Sequence, residues 1–469
     1  MTVFRVRTLR RLAAAPSPGR MLAALPRGCR PVLLDSSDRR GWCLLAWSPD
    51  RIRCGRLQPG PGGPGPSGRG PLGLPDPGRQ LEADCAGEVW ERDDPEPPLA
   101  GGWLGFLGFE CGHAWEPFPW TAPIPGGLPD FHFARYRWAV SWAPDGSARL
   151  LWAETQGTSA APAERARVEE DFRRLLRAPR GADRAPPLPS LPLPVQDGAA
   201  YRAAVRRLRG WIGAGELFQA NLSHRLEGPA PRDPRSLYRV LRRAQPTSMS
   251  AYWEDDAGRA LLSWSPERFL RVRGALLETR PIKGTAPRCA DPAEDRRAAA
   301  ELDASVKERA ELTMIVDMAR NDLGRLALPG SVRVDSAGQI EPLPTVHHRV
   351  ATVRAEWRPE RGLGALLAAT FPPASVTGAP KVRALQAIAE LERERRGPYC
   401  GSFLAWEPGE PRGDLSVLIR TAVVAEGRLS ARVGAGIVWD SDPQREWEET
   451  LWKARYLEAA CARAGGAAV

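Results

Sequence analysis

The feature that most constrains this chain is a proline-dense segment at residues 178–195, which reads Ala-Pro-Arg-Gly-Ala-Asp-Arg-Ala-Pro-Pro-Leu-Pro-Ser-Leu-Pro-Leu-Pro-Val. Proline fixes φ and lacks a backbone donor, so such a segment continues neither a helix nor the interior of a sheet. We therefore predict a linker there, between an N-terminal region at residues 1–177 and a second region at residues 196–469.

The N-terminal region is predicted to consist of strands closed by one helix. Residues 31–37 and 41–47 are short apolar runs typical of buried strands, and residues 135–154 indicate a hairpin. The basic N-terminus is too interrupted for a secretory signal, so we expect a first strand, with a transit peptide as the alternative. Residues 58–78 are rich in proline and glycine and indicate a surface loop.

Bulk properties favour a cytoplasmic protein that does not enter a membrane. No apolar run reaches the roughly 18 residues of a membrane helix, and the eight cysteines show neither zinc nor disulfide spacing. The net charge is +10, but the arginines are scattered and no basic stretch alternates with aromatic residues. We therefore do not expect nucleic acid as a partner; a nucleic-acid-binding protein with an inactive enzyme fold remains the alternative of another class.

Lysine is scarce in this chain, which draws attention to the few that occur. Of 66 basic residues only Lys283, Lys307, Lys381 and Lys453 are lysines. Unlike a guanidinium, a lysine amine can lose its proton when desolvated and become a nucleophile or base. Lys283 follows a strand-like run at residues 273–279 and is predicted in a turn beside Pro281 and Gly284. The alternative for Lys283 is an ordinary surface lysine.

The second region carries several polar groups at spacings that place them on shared faces. Apolar and polar residues alternate along residues 217–225, as in a strand. Gln219 lies on the polar face, which is either exposed to solvent or the wall of a pocket. A helix over residues 305–323 places Glu311 on an apolar stripe. Residues 345–348 are predicted to end a strand, and residues 415–424 to form one strand containing Arg420.

The last predicted helix covers residues 444–463. It holds Glu446, Glu449 and Lys453 on one face. Two carboxylates there, together with Glu311 from a second helix, would suit Mg²⁺, which typically takes one or two carboxylates with waters and substrate. The alternative is a solvated ladder of charges.

Six motifs follow one another along the second region: Ala214-Gly-Glu-Leu-Phe-Gln-Ala-Asn-Leu-Ser223, Ser265-Pro-Glu-Arg-Phe269, Pro281-Ile-Lys-Gly-Thr285, Glu311 through Asp322-Leu-Gly, Thr377-Gly-Ala-Pro-Lys381, and Gly434-Ala-Gly-Ile-Val with Glu446-Trp-Glu-Glu449 and Lys453. In this order they resemble the chorismate-utilising enzymes, the family of the anthranilate synthase large subunits. The N-terminal region resembles the family more loosely, through Leu33-Leu-Asp-Ser36, Gly101-Gly-Trp-Leu-Gly and Leu128-Pro-Asp130. The resemblance implies an α+β fold like that of anthranilate synthase component I, with stacked β-sheets flanked by helices. It makes residues 196–469 the chorismate-binding catalytic domain.

The resemblance also implies roles for single residues. Glu311 and Glu449 would hold Mg²⁺, with Glu446 beside it, and the metal would bind the carboxylate on the substrate ring. Glu267 would protonate the departing C4 hydroxyl as general acid, a role that favours a pKa raised by enclosure. The implied substrate-binding positions are Gln219, Gly284, Thr285, His348, Tyr399, Arg420, Gly434, Ala435, Gly436 and Lys453.

Two positions distinguish members of the family. Isochorismate and salicylate synthases have a water-activating lysine at the position of Gln219, so water activation is not expected here. Anthranilate synthases typically have alanine at the position of Lys283, whereas the branch that forms 4-amino-4-deoxychorismate has Pro-Ile-Lys-Gly-Thr, as here. The resemblance implies that the neutral Lys283 amine attacks C2 while the C4 hydroxyl leaves, and that ammonia then enters at C4 and displaces the lysine. The implied product is a precursor of para-aminobenzoate and folate; formation of anthranilate, for tryptophan biosynthesis, is the alternative.

The source of ammonia is predicted to be another subunit. The chain contains no amidotransferase signature such as G-x-C-x-G-H-Q. A glutamine amidotransferase in a heterodimer with this chain is therefore implied. The segment around Ser36 resembles the tryptophan-binding pocket of the family.

Overall fold

The computed structural model describes residues 2–58, 73–92, 94, 96–123, 127–155, 161–177 and 188–461. Residues 59–72 of the predicted surface loop and residues 178–187 of the predicted linker lie outside the described residues.

The strands are β1 (Thr2–Leu12), β2 (Val32–Asp35), β3 (Cys43–Ala46), β4 (Arg51–Gly55), β5 (Glu88–Arg92), β6 (Gly102–Leu107), β7 (Phe131–Tyr136), β8 (Trp138–Trp142), β9 (Ala148–Thr155), β10 (Leu193–Pro194), β11 (Gln219–Pro229), β12 (Met249–Glu254), β13 (Ala260–Ser265), β14 (Arg268–Arg273), β15 (Leu276–Arg280), β16 (Ile282–Pro287), β17 (Arg333–Pro342), β18 (Val346–Glu356), β19 (Gly378–Ala379), β20 (Ser402–Glu407), β21 (Arg412–Val417), β22 (Thr421–Ala425) and β23 (Arg428–Ile437). The helices are α1 (Pro18–Ala24), α2 (Pro77–Cys85), α3 (Ala161–Leu176), α4 (Gly198–Gly213), α5 (Pro234–Ala244), α6 (Pro292–Ala304), α7 (Val306–Gly324), α8 (Gly362–Thr370), α9 (Lys381–Glu392) and α10 (Pro443–Ala454).

These strands form two large sheets. The 13-stranded sheet has the order β10-β11-β23-β22-β13-β12-β2-β3-β8-β9-β1-β5, with β19 paired to β11. The 10-stranded sheet has the order β16-β18-β15-β14-β21-β20-β6-β7-β4, with β17 paired to β18. The predicted α+β fold with stacked sheets flanked by helices is confirmed.

Both sheets contain strands from before and after the predicted linker. In one sheet β2 pairs with β12, and in the other β6 pairs with β20. The two predicted regions therefore complete each other's sheets. The bounds 1–177 and 196–469 stay a prediction about the organisation of the sequence.

The alternation of apolar residues along the strands explains why the sheets stack. Val32 and Leu44 lie in a buried cluster with Phe106 and Phe403 of the other sheet, because side chains of one strand point alternately to its two faces. Their neighbour Leu33 belongs to the cluster on the opposite face, which helices α1, α3 and α5 cover.

Local capping fixes the helices that reach the site. Asp197 accepts a hydrogen bond from the Ala200 amide at 2.7 Å and starts α4. Ser305 caps α7 and Asp442 caps α10 in the same way, since a side-chain oxygen satisfies an otherwise unpaired amide of the first turn.

Four sequence-based expectations for the second region are wrong in detail. Lys283 lies on strand β16 and not in a turn, because residues 282–287 pair with β18. The His347–His348 pair begins β18 and does not end a strand. The predicted strand at residues 415–424 is two strands, β21 and β22, separated where Arg420 adopts φ +48°. Helix α10 ends at Ala454 and continues only as a 3₁₀ turn.

Candidate active site

The predicted site residues converge between one end of each sheet. Strands β11 and β23 lie near one end of the 13-stranded sheet, and β16 and β18 lie at one end of the other. A Cβ atom built on Gly436 of β23 would lie 2.3 Å from Nε2 of Gln219 and 3.9 Å from Nζ of Lys283. Glycine at this position therefore lets β11 and β16 place their polar side chains next to the same backbone.

The Lys283 side chain points into this space. Its Nζ donates to the backbone carbonyl of Ser375 at 3.2 Å. The Ser375 side chain in turn hydrogen bonds to Glu267, and the charge of Lys283 acts on both Glu267 and Glu311. The structure thus brings together the predicted nucleophile and the predicted general acid through one residue, Ser375.

Glu267 follows β13 and is 4% exposed. Burial raises the pKa of its carboxyl to about 7, against smaller opposing effects from the Ser375 hydrogen bond, the Lys283 charge and the Ile282 amide. A carboxyl group with such a pKa is partly protonated near neutral pH, as a general acid requires.

Gln219 is the predicted pocket-wall residue and is 2% exposed. The buried Oε1 atom of Gln219 has no hydrogen-bond partner within the described residues. The polar face of this strand is therefore a pocket wall and not a solvent face. The preceding residue, the apolar Phe218, is in contrast 70% exposed.

Strand β16 and the start of β18 supply three further predicted residues. Thr285 Oγ1 and His348 Nδ1 are 2.9 Å apart, while the buried Nε2 of His348 is unpaired among the described residues. Burial, aided by the Arg420 charge, lowers the pKa of His348 to about 4, so its ring is neutral. Gly284 adopts φ +81°, a conformation that glycine reaches without strain.

Further predicted substrate-binding residues lie on β23, beside it, or just before β22. Arg420 is enclosed, which lowers its pKa, and it has no acidic partner in the described chain. Tyr399 is buried, and its hydroxyl lies 2.9 Å from a Cβ built on Gly434. Lys453 donates to the Gly434 carbonyl at 3.0 Å. Ala435 is fully buried in the core, so only its backbone borders the site.

The three predicted metal ligands lie on α7 and α10. Burial raises the pKa of Glu311, and Glu308 and Glu449 add to the rise. Burial also raises the pKa of Glu446, which is 6% exposed, and Glu449 again adds to it. Glu449 is half-exposed and pairs with Lys453 at 2.7 Å. The acids therefore act on one another electrostatically across the two helices.

Ser36 lies at a neighbouring cavity. Its hydroxyl donates to Asp38 at 2.7 Å. The cavity measures about 480 Å³ and is bordered also by Met249, Pro266 and His348. Tryptophan binding there stays a prediction.

Sequence reasoning did not assign a role to Ser375, Asp322 or Lys381 at this site. Lys381 Nζ donates to Asp322 Oδ2 at 2.7 Å. Both belong to the motifs listed above, and the scarcity of lysine is the signal that could have pointed to Lys381.

Comparison with known proteins agrees with this geometry. A family model described as chorismate binding enzyme matches residues 76–459. The chain belongs to this family, and it is thus a chorismate-utilising enzyme. No helix among the described residues combines the length and the apolar character needed to span a membrane.

Two kinds of relative within the family are similarly near. The chain is 37% identical over 374 residues to aminodeoxychorismate synthase component 1 of Salmonella typhimurium, which covers 77% of each chain. It is 38% identical over 390 residues to anthranilate synthase component 1 of Streptomyces coelicolor, covering 79% of this chain and 75% of that protein. The crystal structure of anthranilate synthase component I from Streptococcus pneumoniae matches with a TM-score of 0.74 and 26% identity, over 89% of this chain and 92% of that one.

Proposed function

We propose that the protein converts chorismate and ammonia to 4-amino-4-deoxychorismate, with Lys283 as covalent nucleophile. The observation that carries the proposal is the position of the Lys283 amine, which lies against Ser375 beside Glu267 and near the glycine-lined backbone of Gly436. The relative from Salmonella typhimurium, an aminodeoxychorismate synthase component 1, supports the same reaction.

The residues would divide the reaction between them. The Lys283 amine forms a bond to C2 of the ring while Glu267 gives its proton to the C4 hydroxyl, which leaves as water. Ammonia then bonds to C4, and the C2–N bond to Lys283 breaks. Splitting one substitution into two steps is ordinary covalent catalysis.

One arginine and two neutral polar side chains would hold the substrate. Arg420 offers a guanidinium to a carboxylate, a pairing that arginine makes with two parallel hydrogen bonds. The neutral His348 ring, through its unpaired Nε2, and the unpaired Oε1 of Gln219 offer further polar contacts.

The acidic residues fit Mg²⁺. Within the described residues no three acidic, histidine or cysteine side chains are near enough to form a metal cluster by themselves. Mg²⁺, however, needs only one or two carboxylates together with waters and substrate oxygens. Burial raises the pKa values of Glu311 and Glu446, and the charge of Glu449 raises both further. The three carboxylates therefore repel one another, and a bound divalent cation would relieve this repulsion. These three residues would hold the ion, which when bound neutralises a substrate carboxylate.

The ammonia would come from a glutamine amidotransferase subunit. The similar proteins are described as component 1, and the chain itself carries no amidotransferase signature. We propose that the two subunits form a heterodimer that acts in folate biosynthesis in the cytoplasm.

An anthranilate-forming enzyme is the second candidate, favoured by the 38% identity to the protein from Streptomyces coelicolor. Product analysis separates the two. We expect that incubation with chorismate, Mg²⁺ and ammonium, without added lyase, gives 4-amino-4-deoxychorismate by mass spectrometry and no anthranilate fluorescence. Fluorescent anthranilate as the main product would overturn the proposal. Reactions without ammonium serve as the control.

A further inference from the structure

Glu267 must regain a proton after each turnover, a requirement that rests on the proposed function. Ammonia, chorismate and one proton give water and the product in its ammonium form, the form that alkyl amines take at neutral pH. The proton that Glu267 gives to the leaving hydroxyl departs in the water, and the ammonium product keeps all three protons of the attacking ammonia, so neither returns a proton to Glu267. Because Glu267 is only 4% exposed, a route from solvent to its carboxyl is needed.

A small cavity lies beside Glu267, away from the other predicted site residues. Neither Lys283, Gln219, Arg420 nor any other predicted substrate-binding residue lines it. Its polar lining consists of Glu267, Arg268, Thr279, Asp322, Thr370 and Ser375. It offers about 20 Å³ to the centres of water-sized molecules, which is room for a single water.

Asp322 connects this cavity to the protein surface. Its carboxylate accepts from Lys381 Nζ at 2.7 Å, and the same amine donates to the Thr370 carbonyl at 3.0 Å. The side chains of Asp322 and Lys381 are 11% and 10% exposed, so the pair reaches both solvent and the cavity.

We propose that Asp322, held by Lys381, relays protons from solvent through a water in this cavity to Glu267. In each cycle Asp322 gives a proton to the water, the water gives one to the Glu267 carboxylate, and Asp322 takes a proton from solvent. No bond other than O–H forms or breaks. This role also explains why position 381 is one of the four lysines in an arginine-rich chain. A lysine holds the Asp322 carboxylate through one oxygen and leaves the second oxygen available for the water.

The charges around both carboxyls agree with such a transfer. Burial raises the pKa of Asp322 to about 6, with Lys381 and Arg325 opposing the rise and Glu116 adding to it. Burial raises that of Glu267 to about 7, opposed by Ser375, Lys283 and Ile282. Two carboxyls with similar pKa values exchange a proton with little loss of free energy.

The test is Asp322→Asn, which keeps the shape and removes the titrating group. We expect kcat to fall by roughly tenfold or more, with KM for chorismate unchanged and with a larger solvent deuterium isotope effect on kcat. A purely structural role of Asp322 would instead lower the melting temperature and leave the isotope effect as it is.

A second variant keeps Asp322 and Lys381 and fills the cavity. Ala319 lines it from α7, and Ala319→Val would displace the water; we expect the same fall in kcat and the same rise in the isotope effect. Val316→Ile adds a methyl group from the same helix outside the cavity and is the matched control. If Asp322→Asn does not fold, the kcat and the isotope effect of Ala319→Val test the relay instead.

The outcomes separate the relay from the proposed function. If the wild-type enzyme forms the aminated product and Ala319→Val has the same kcat and the same isotope effect, the relay alone is overturned. Wild-type enzyme that forms no aminated product from chorismate would overturn the proposed function instead.

Discussion

At the scale of single residues, Ser375 contacts both of the groups that we propose to react. Its carbonyl accepts from Lys283, and its side chain contacts Glu267. The lysine amine is therefore kept beside the acid before any substrate binds.

Removing the proposed nucleophile should test the proposed covalent step directly. We expect Lys283→Ala to lower kcat for 4-amino-4-deoxychorismate by roughly 10²-fold or more, with a smaller change in KM, because the amine acts in the transition state. Steady-state kinetics measure this, and mass spectrometry of the quenched wild-type enzyme should show a covalent adduct. Unchanged turnover would exclude Lys283 as nucleophile.

The pKa of Glu267 predicts a pH dependence of the rate. Because the protonated form donates, the rate should decline as pH rises above about 7, the pKa that burial gives this carboxyl. Glu267→Gln should lose roughly 10²- to 10⁴-fold in kcat and the decline with it. A pH–rate profile of both proteins measures this, and an unchanged profile in the variant would contradict it.

The same pKa has a consequence for stability. The pKa is raised in the folded protein, so the stabilisation linked to the bound proton is present below about pH 4.5 and is lost as pH rises through about 7. The melting temperature of Glu267→Gln minus that of the wild type should therefore be larger at pH 8 than at pH 4.5. Equal differences in melting temperature at both pH values would contradict the assignment.

Sequence reasoning selected residues that the structure brings together, but it did not predict their contacts. Lys283 and Glu267 stood out through residue type and motif, whereas the role of Ser375 depends on its carbonyl, which any residue type provides. The Asp322–Lys381 pair joins residues 59 positions apart on two helices, a distance over which periodicity carries no information.

At the scale of elements, the glycines of β23 let the strand pass close to β11 and β16. Gly436→Ala would force the Gln219 side chain aside, since the new Cβ would lie 2.3 Å from its Nε2. We expect KM for chorismate to rise roughly tenfold, about 1.4 kcal/mol. Gly210→Ala on α4, where no atom lies within 4 Å of the new Cβ, is the control and should leave KM unchanged. A normal KM in Gly436→Ala would show that Gln219 does not contact substrate.

Helices were easier to predict than the strands at the site, for a physical reason. Capping residues such as Asp197 and Ser305 mark where α4 and α7 begin. Breaks in strands depend instead on tertiary pairing: the backbone turns at Arg420, with φ +48°, so that β22 joins a different sheet from β21. Local sequence does not show to which sheet a strand will pair.

At the scale of the whole molecule, the two regions share their sheets, so we expect the chain to unfold in one cooperative transition. A fragment of residues 196–469 alone would expose the edge of β12 that pairs with β2, and that of β20 that pairs with β6. Unpaired edges promote association, so size-exclusion chromatography should show aggregates. A monomeric fragment with its own cooperative melting transition, measured by calorimetry, would contradict this and support two independent domains.

The pairing of β6 with β20 also matters while the chain is being made. Leu107 meets its partner Ser402 only after about 300 more residues have been added, which takes roughly 15–60 s at typical ribosomal speed. Throughout that interval the early strands have an open edge inside the cell. Nascent chains of this protein should therefore be clients of ribosome-associated chaperones, and slower translation would lengthen their dependence.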